Sequence, residues 1–202
     1  SPLLGDLLTA RGFTPRDDPG AWLSPDGIYV DVMVPEALAG PGRRAADLGV
    51  HGRRAARRAK GLEGALVDRE KRRIASLDPA DTRTAVMWVA GPGALLIAKV
   101  HKIAERVGAQ DRVRDKDALD VLRLLRSISS EVVAERLDLL VSSDLAGGVA
   151  MEAIAALPDL FGSSDAEGVM MAARAAGTEE DPATISASFV ALIDELAAEL
   201  RR

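Results

Sequence analysis

The sequence predicts an α+β protein, in which a small mixed β-sheet with flanking helices is followed by a C-terminal helical bundle. Short apolar segments with the alternation of strands occur up to about residue 90. An apolar helical run begins at residue 92, and from residue 114 onward the spacing of apolar residues is helical. We therefore expect two domains, an α/β domain over residues 1–90 and a helical domain over residues 91–202.

The composition limits the kinds of site that the chain can form. Its 202 residues, 48% of them hydrophobic and 28% charged, are typical of a globular protein with a substantial core. With no cysteine and two histidines, the chain can form no disulfide, no thiolate zinc site and no all-histidine metal site. A metal ion would be a hard cation such as Mg²⁺ or Mn²⁺, held by carboxylates. The sequence has no run of about 18 apolar residues that could span a membrane and opens with no signal peptide, which indicates a cytoplasmic protein.

The net charge of −5 hides a strong asymmetry along the chain. Residues 40–75 contain eleven basic and four acidic residues, a net charge of +7, whereas residues 129–202 contain four basic and fourteen acidic residues, a net charge of −10. The basic stretch would attract polyphosphate or nucleic acid, which the acidic stretch would repel. The arginines of residues 52–60 have two interpretations, as a solvated face or as a patch that faces phosphate or RNA.

The N-terminal half alternates short elements with turns rich in glycine and proline. Gly12 ends a helical segment, and the turn Pro25-Asp26-Gly27 separates two strand-like segments that predict a hairpin. In chain order, the expected elements are a helix at residues 3–11, hairpin strands at residues 21–24 and 28–34, a basic helix or loop at residues 52–60, and strands at residues 65–67, 73–75 and 84–90.

The second hairpin strand contains an acid in an apolar setting. Its alternation puts the valines on one face and Asp31 on the other, between Tyr29 and Met33. Aspartate is disfavoured in strands and costly to bury without a partner. Two interpretations are open. Asp31 is a metal-binding carboxylate on an open face of the sheet, or it lies on a solvated face or caps a nearby loop.

The helix that follows Gly91-Pro92-Gly93 has an apolar stripe bordered by cations. Helical spacing places the two sets on adjoining flanks, so a row of cations borders the core instead of lying opposite it. The stripe comprises Leu96, Val100, Ile103 and Val107, and the cations are Lys99, Lys102 and Arg106.

The next helical run opens with Asp115, Lys116 and Asp117 and carries apolar stripes on two sides. Such a helix is usually sandwiched between neighbours, which would place Asp117 and Asp120 at the edge of a cleft. In the alternative, the two lysines of the preceding helix extend past the core to water, the first-turn acids complement the helix dipole, and Lys116 pairs with Asp120 in solvent. The stripes are Leu119, Leu122 and Leu125 on one side and Val121 and Leu124 on the other, and further helices are expected at residues 130–141, 144–161, 165–176 and 182–201, with starts at Ser129 and Asp181-Pro182.

Three segments, in this order, resemble one protein family. They are Tyr29-Val30-Asp31-Val32-Met33-Val34-Pro35, Ala94-Leu95-Leu96-Ile97-Ala98-Lys99-Val100-His101-Lys102 and Arg114-Asp115-Lys116-Asp117-Ala118-Leu119-Asp120. Together they resemble the nucleotidyltransferase-superfamily proteins of the abortive-infection AbiEii kind, the toxins of bacterial type IV toxin-antitoxin systems. The resemblance covers about residues 20–126 and depends on the combination of Leu-Leu-x-x-Lys with Lys-Asp-x-x-Asp.

The resemblance implies a small mixed nucleotidyltransferase-like sheet with three carboxylates, closed on one side by a helical domain. Asp31 matches the third carboxylate, which would bind Mg²⁺ or Mn²⁺ and take part in catalysis. The family's first two carboxylates come from a Gly-Ser loop and an Asp-x-Asp strand end, which do not occur before Asp31. That segment is expected upstream of residue 1, or else the chain is a degenerate relative without activity. Lys99 matches the family's helix lysine and Lys116-Asp117 its Lys-Asp motif, with Asp120 following, which makes Lys99 and Asp117 further catalytic candidates. The resemblance implies that these residues contact a nucleoside triphosphate or hold the cleft in shape, and the expected nucleotide-binding residues are Lys99, Lys102, Lys116 and Asp120.

Three functions remain open at this point. The first is a metal-dependent nucleotidyltransferase with a toxin-like role, which transfers a nucleotide from a triphosphate to an RNA such as tRNA or to a protein. In that chemistry carboxylates hold magnesium, while lysines neutralise the leaving pyrophosphate. The second is a non-catalytic module of the same fold that binds nucleic acid or a partner protein. The third is an inert protein whose acidic helical tail binds an antitoxin.

Overall fold

The computed structural model describes residues 3–107 and 115–202. It confirms the α+β class, with small sheets of two or three strands and a helical C-terminal region. The chain divides into two compact units, Ser1–Leu62 and Glu63–Arg202. This division follows the internal packing of each unit, whereas the expected division at residue 90 follows the change from strands to helices. The strands that directly precede residue 90 therefore belong to the second unit, together with the helices.

The first unit begins with the expected helix, α1 (Leu4–Ala10), followed by three antiparallel strands, β1 (Thr14–Pro15), β2 (Ala21–Leu23) and β3 (Tyr29–Asp31). Strands β2 and β3 form the predicted hairpin, with Trp22 opposite Val30. The second hairpin strand does not continue unbroken to residue 34, because the hydrogen bonds of Val32 change partner. Its N–H donates to the carbonyl of Gly20 (2.8 Å), and its own carbonyl accepts from the N–H of Arg57 (2.9 Å).

After this change of partner the chain continues as β4 (Met33–Pro35), which pairs in parallel with β5 (Arg57–Ala59). The prediction of a helix or loop at residues 52–60 is wrong for residues 57–59, which form β5. The sequence does not reveal this strand, because Arg-Arg-Ala has no apolar alternation and its parallel partner is distant in the chain. The small core of this unit contains buried Ala39, Ala46 and Ala56, with Val32, Val34 and Leu48 partly buried against them. Trp22 is also buried, and its indole N–H donates to the carbonyl of Ala55 (3.3 Å).

The second unit opens with a short 3-10 helix, Glu63–Leu66, and an antiparallel hairpin of β6 (Arg69–Ala75) and β7 (Thr84–Ala90). Both strands are confirmed, but the strand expected at residues 65–67 is wrong. The Gly64 carbonyl accepts hydrogen bonds from the N–H groups of Val67 and Asp68 (3.0 and 2.8 Å), and these close a tight turn. That turn brings Asp68 to the start of the next helix, which an extended strand would not do.

The remaining helices of the described chain confirm the expected helical half. These helices are α2 (Pro92–Ala104), α3 (Lys116–Ser127), α4 (Ser130–Val141), α5 (Gly147–Phe161), α6 (Glu167–Ala176) and α7 (Pro182–Glu199). α2 packs against the 3-10 helix, α3, α4 and α5, while α6 and α7 complete the core on the side of α3 and α4. Phe161 stacks on Phe189 within this core, with ring centroids 4.7 Å apart.

The two central helices bury the faces that the sequence predicts, with one exception. In α2, Leu96, Val100 and Ile103 are buried, but Val107 is 51% exposed because the helix ends at Ala104. In α3, the stripe Leu119, Leu122 and Leu125 is buried, as is Val121 on the other side, so this helix is sandwiched as expected. Arg114, which opens the charged segment before α3, lies outside the described residues. Over residues 3–107 and 115–202, no helix combines the length and the apolar character needed to cross a membrane.

Candidate functional site

The position of α2 is fixed by a carboxylate from outside the helix. Gly91, at the N-cap position, has no side chain that could bind the first free N–H groups. The buried carboxylate of Asp68 takes this role, accepting from the N–H of Ala94 (3.0 Å), while its own carbonyl accepts from the N–H of Gly91 (2.8 Å). A Cβ atom at Gly91 would lie 2.0 Å from Oδ1 of Asp68, so only glycine fits there. This contact sets the start of the helix that carries the predicted lysines.

The cations of the α2 flank converge on Asp117, near the start of α3. Oδ1 of Asp117 binds Nζ of Lys99 at 2.7 Å, and Oδ2 binds Nζ of Lys102 at 2.8 Å and Nη1 of Arg106 at 2.7 Å. The Asp117 side chain is only 1% exposed, whereas the three cations are 24–43% exposed. One buried carboxylate therefore holds a row of three half-buried cations at the surface of the second unit.

Asp120 and Arg123 extend this cluster along α3. Nζ of Lys99 also binds Oδ2 of Asp120 at 2.7 Å, so Lys99 bridges two carboxylates. Nη1 of Arg123 lies 3.6 Å from Oδ1 of Asp120 on the solvent side. We call these six residues the Asp117 cluster: Lys99, Lys102, Arg106, Asp117, Asp120 and Arg123. The described cluster contains four cations for two carboxylates and so carries excess positive charge.

Hydrogen bonds within the cluster keep Lys99 and Asp117 charged, although burial disfavours the charged form of each. Burial by itself would lower the pKa of Lys99, but its hydrogen bonds to Asp117 and Asp120 outweigh this effect and raise the pKa above its ordinary value of 10.5. Burial would raise the pKa of Asp117, but hydrogen bonds from Lys102 and Lys99 hold this pKa below its ordinary value of 3.8. Both groups are therefore charged at neutral pH.

The geometry separates the roles of the cluster residues. Both oxygens of Asp117 accept from cations and the side chain is buried, so its carboxylate is suited to positioning those cations and not to binding a metal ion. Lys102 is the most exposed of its three partners, at 43%, and an ammonium group has two further donors beyond its bond to Asp117. Lys102 and the guanidinium of Arg106 can therefore bind an anion with several oxygens, such as a phosphate.

A second ion pair, which sequence analysis did not find, holds the other acid at the start of α3. Asp115 is buried and accepts from Nε and Nη2 of Arg174 in α6, at 2.8 and 3.4 Å. Nη2 of Arg174 also binds Oε1 of Glu167 at 2.9 Å. No spacing rule links residues in two helices so far apart in sequence. Lys116, between these two acids, is exposed.

Of the two histidines, the one in α2 has a structural role. His101 is 7% exposed, and its Nε2 lies 2.8 Å from the carbonyl oxygen of Val149 in α5. Because a carbonyl only accepts, the hydrogen bond requires a proton on Nε2. This histidine links α2 to α5.

Asp31, the predicted metal ligand, belongs to the first unit. Its side chain is 52% exposed, and Oδ2 accepts from Nη2 of Arg57 in β5 at 3.1 Å. The same Arg57 nitrogen lies 3.4 Å from Sδ of Met33. No group of three or more His, Cys, Asp or Glu side chains that could hold a metal ion occurs within residues 3–107 and 115–202. Within the described residues Asp31 therefore has an arginine partner and belongs to no group of acids that could hold a metal ion.

Comparison with known proteins adds no relative to this description. No protein-family model, curated protein or solved structure matches the chain. The function is therefore inferred from the chemistry of the described residues together with the resemblance that the sequence shows.

Proposed function

We propose that the protein is a nucleotidyltransferase of the AbiEii-like toxin kind, which binds a nucleoside triphosphate and transfers its nucleotide to an RNA such as tRNA or to a protein. The observation that carries the proposal is the Asp117 cluster, in which Lys99, Lys102 and Arg106 are held side by side on one buried carboxylate. A triphosphate needs several adjacent cations in a fixed arrangement.

The cations have a defined role in such a transfer. An acceptor hydroxyl gives up its proton to water and attacks the α-phosphorus. The bond between the α-phosphorus and its bridging oxygen to the β-phosphate breaks, and pyrophosphate leaves with additional negative charge. Lys102 and Arg106 would neutralise this charge through N–H groups that Asp117 leaves unused. Lys99, which already binds Asp117 and Asp120, would keep the row of cations in place. Lys116 would contribute a further exposed ammonium at the start of α3.

The proposal includes Mg²⁺ or Mn²⁺, which when bound would polarise the phosphoryl oxygens. Asp31 is the described residue proposed to bind it, but one carboxylate that is paired with an arginine does not make a magnesium site alone. Three parts of the proposal come from the family resemblance and not from the structure. They are the further carboxylates, a role in toxicity and a cognate antitoxin.

Nucleotide binding is tested by calorimetric titration of each of the four ribonucleoside triphosphates, without RNA. The substitution Lys102→Gln is expected to weaken binding about tenfold or more, because a hydrogen bond between charged groups is lost. The control is Arg201→Gln, which likewise replaces one cation by glutamine at an exposed position after α7 and should leave the affinity unchanged. Equal affinities for both variants and the unaltered protein would contradict a triphosphate site at the Asp117 cluster.

Transfer is tested separately, with labelled triphosphate, magnesium and total tRNA or total protein as acceptor. Asp31→Asn is expected to abolish transfer while triphosphate binding to the cluster persists in the absence of metal. Full transfer by this variant would exclude the metal role of Asp31. Binding without any transfer would favour a non-catalytic protein of the same fold.

A further inference from the structure

The hairpin of β6 and β7 exposes both of its faces to solvent. All seven residues of β6 are exposed, and in β7 only Val89 and Ala90 are half-buried. A two-stranded hairpin is marginally stable in water unless one face packs on something else. Large apolar side chains nevertheless remain accessible, since Trp88 is 54% exposed and Met87 is 52% exposed. Exposed aromatic surface of this kind indicates an interaction site.

The strand register assigns each side chain of the hairpin to one of two faces. Residues directly opposite each other in an antiparallel pair share a face, and alternate residues along a strand do so too. Lys71 lies opposite Trp88. The Trp88 face therefore comprises Arg69, Lys71, Arg73 and Ala75 from β6 and Thr84, Val86, Trp88 and Ala90 from β7, whereas the opposite face comprises Glu70, Arg72, Ile74, Ala85, Met87 and Val89.

The two faces differ in charge. The Trp88 face has three cations and no acid, whereas on the opposite face Arg72 forms an ion pair with Glu70. Cζ of Arg69 and Nζ of Lys71 lie 4.7 and 5.2 Å from the centroid of the Trp88 ring. Both cations therefore make cation–π contacts with the indole, while about half of the residue stays exposed.

We propose that the Trp88 face binds single-stranded nucleic acid. A base would stack on the exposed part of the Trp88 ring, and Arg69, Lys71 and Arg73 would contact phosphates along the strand. An aromatic platform combined with a line of cations is the arrangement by which proteins bind single strands without sequence preference. Alternate residues of β6 are about 7 Å apart, so the cations follow an extended backbone. A duplex keeps its bases stacked inside and would leave Trp88 unused.

This proposal stands on the hairpin alone and does not depend on the proposed function. It concerns a different set of side chains from the Asp117 cluster and needs neither a triphosphate nor a metal ion. If both proposals are correct, the Trp88 face would bind the molecule that accepts the nucleotide, and that acceptor would be RNA and not protein. If nucleotide transfer fails, binding of a single strand to this face is still expected.

The test is fluorescence anisotropy of labelled oligonucleotides of about 12 nucleotides, within the site sizes known for single-strand binding. RNA and DNA of one sequence are compared, each as a single strand and as a duplex, without triphosphate. The single strands are expected to bind more tightly than the duplexes. The logarithm of the association constant should fall with the logarithm of salt concentration with a slope of about −2, as three phosphate contacts require. A difference between the RNA and DNA single strands would identify which of the two the face prefers.

Variants of the two faces separate this site from general attraction to a basic surface. Trp88→Ala is expected to weaken binding about tenfold through the lost stacking, with Trp88→Phe intermediate. Lys71→Gln and Arg73→Gln should each make the salt slope shallower by about 0.7. The matched control is Arg72→Gln, which removes the same charge from the same strand on the opposite face and should leave affinity and slope unchanged. Met87→Ala is the corresponding control for Trp88.

Three results would overturn the proposal. They are no binding of either single strand at low salt, the same loss of affinity from Arg72→Gln as from Lys71→Gln, and full affinity in the two Trp88 variants. If neither single strand binds at low salt, a protein partner becomes the alternative occupant of the Trp88 face. Melting curves followed by circular dichroism check that each variant is folded. If Trp88→Ala disrupts the hairpin, the two charge variants and Trp88→Phe still decide the result.

Discussion

Asp117 is the residue on which the arrangement of the candidate site depends. Its carboxylate is 1% exposed and lies within 2.8 Å of nitrogens from Lys99, Lys102 and Arg106. Without its charge, the three cations would face one another with no buried partner. Asp120 does not replace it, because this carboxylate contacts only Lys99 among the three.

The substitution Asp117→Asn is expected to destabilise the protein by about 2 kcal/mol at neutral pH. This is less than the ~3–5 kcal/mol typical of breaking a fully buried pair, because the three cations are partly exposed and regain water. Urea unfolding measures the change, and Asp138→Asn, a change of an exposed carboxylate on α4, is the control. The control should stay within about 0.5 kcal/mol of the unaltered protein.

This stability difference is expected to depend on pH in one direction. The pKa of Asp117 is lower in the folded protein than its ordinary value of 3.8, so its contribution is fully present above pH 3.8 and is lost as the pH falls through the folded-state pKa. The difference between the unaltered protein and Asp117→Asn should therefore shrink below pH 3.8, while the other acids titrate in both proteins and cancel. An unchanged difference at pH values well below 3.8 would show that Asp117 acts through packing and not through its charge.

On the alkaline side, the pKa of Lys99 is raised in the folded protein. The contribution of Lys99 to the free energy of unfolding is therefore expected to be complete below pH 10.5 and to be lost as the pH rises through its folded-state pKa.

At this scale the sequence indicates five members of the Asp117 cluster, all but Arg123, but not their roles. Helical spacing predicts that Lys99, Lys102 and Arg106 share a flank, and a helix that is apolar on two sides predicts Asp117 and Asp120 at the edge of a cleft. In the structure Asp117 is buried, at 1% exposed, whereas Asp120 is 39% exposed. Which carboxylate these cations bind depends on the angle between α2 and α3, and the spacing of residues within each helix does not contain that information. The pairing of Asp115 with Arg174 was missed for the same reason.

Among the elements, the start of α2 gives the sharpest prediction. Gly91→Ala would place a Cβ atom 2.0 Å from Oδ1 of Asp68, so the buried Asp68 carboxylate would have to leave the N–H of Ala94. The loss of this cap is expected to cost about 2 kcal/mol, measured by urea unfolding.

Gly148→Ala in α5 is the matched control for this substitution. A Cβ atom there would meet no atom within 4 Å, and the substitution should be neutral or stabilise the protein by up to about 1 kcal/mol. Equal effects of the two substitutions would mean that Asp68 is not the effective cap of α2.

The elements that the sequence predicts correctly are those with a long internal pattern. The helices after residue 115 and the strand Thr84–Ala90 each carry their periodicity within one segment. The errors lie in short elements whose form is decided by distant partners. β5 is a strand because β4 pairs with it. After the 3-10 helix Glu63–Leu66, hydrogen bonds to the Gly64 carbonyl close a turn that brings Asp68 to the start of α2. The Trp88 face depends on the register between β6 and β7, which places Lys71 opposite Trp88, and the pattern within either strand does not contain that register.

For the whole molecule, the main contrast is between the cores of the two units. The first unit buries Trp22 and a few alanines, including Ala39, Ala46 and Ala56. The second unit buries a continuous cluster of large side chains from the 92–104 helix to Leu196, with Phe161 and Phe189 stacked within it. Since apolar burial contributes roughly 25 cal/mol per Å², the first unit gains much less stabilisation from its core.

The first unit is therefore expected to unfold at a lower urea concentration than the second. The chain has two tryptophans, and the buried one, Trp22, lies in the first unit. In the Trp88→Phe protein, a red shift of tryptophan emission reports the exposure of Trp22, whereas far-ultraviolet circular dichroism reports mainly the helices of the second unit. The emission midpoint should come first, and its transition should have the smaller slope with urea because less surface is exposed. The circular dichroism transition of this variant should match that of the unaltered protein. Coincident midpoints by both probes would mean that the two units unfold as one cooperative body, in which the small alanine core is stabilised by more than its own packing.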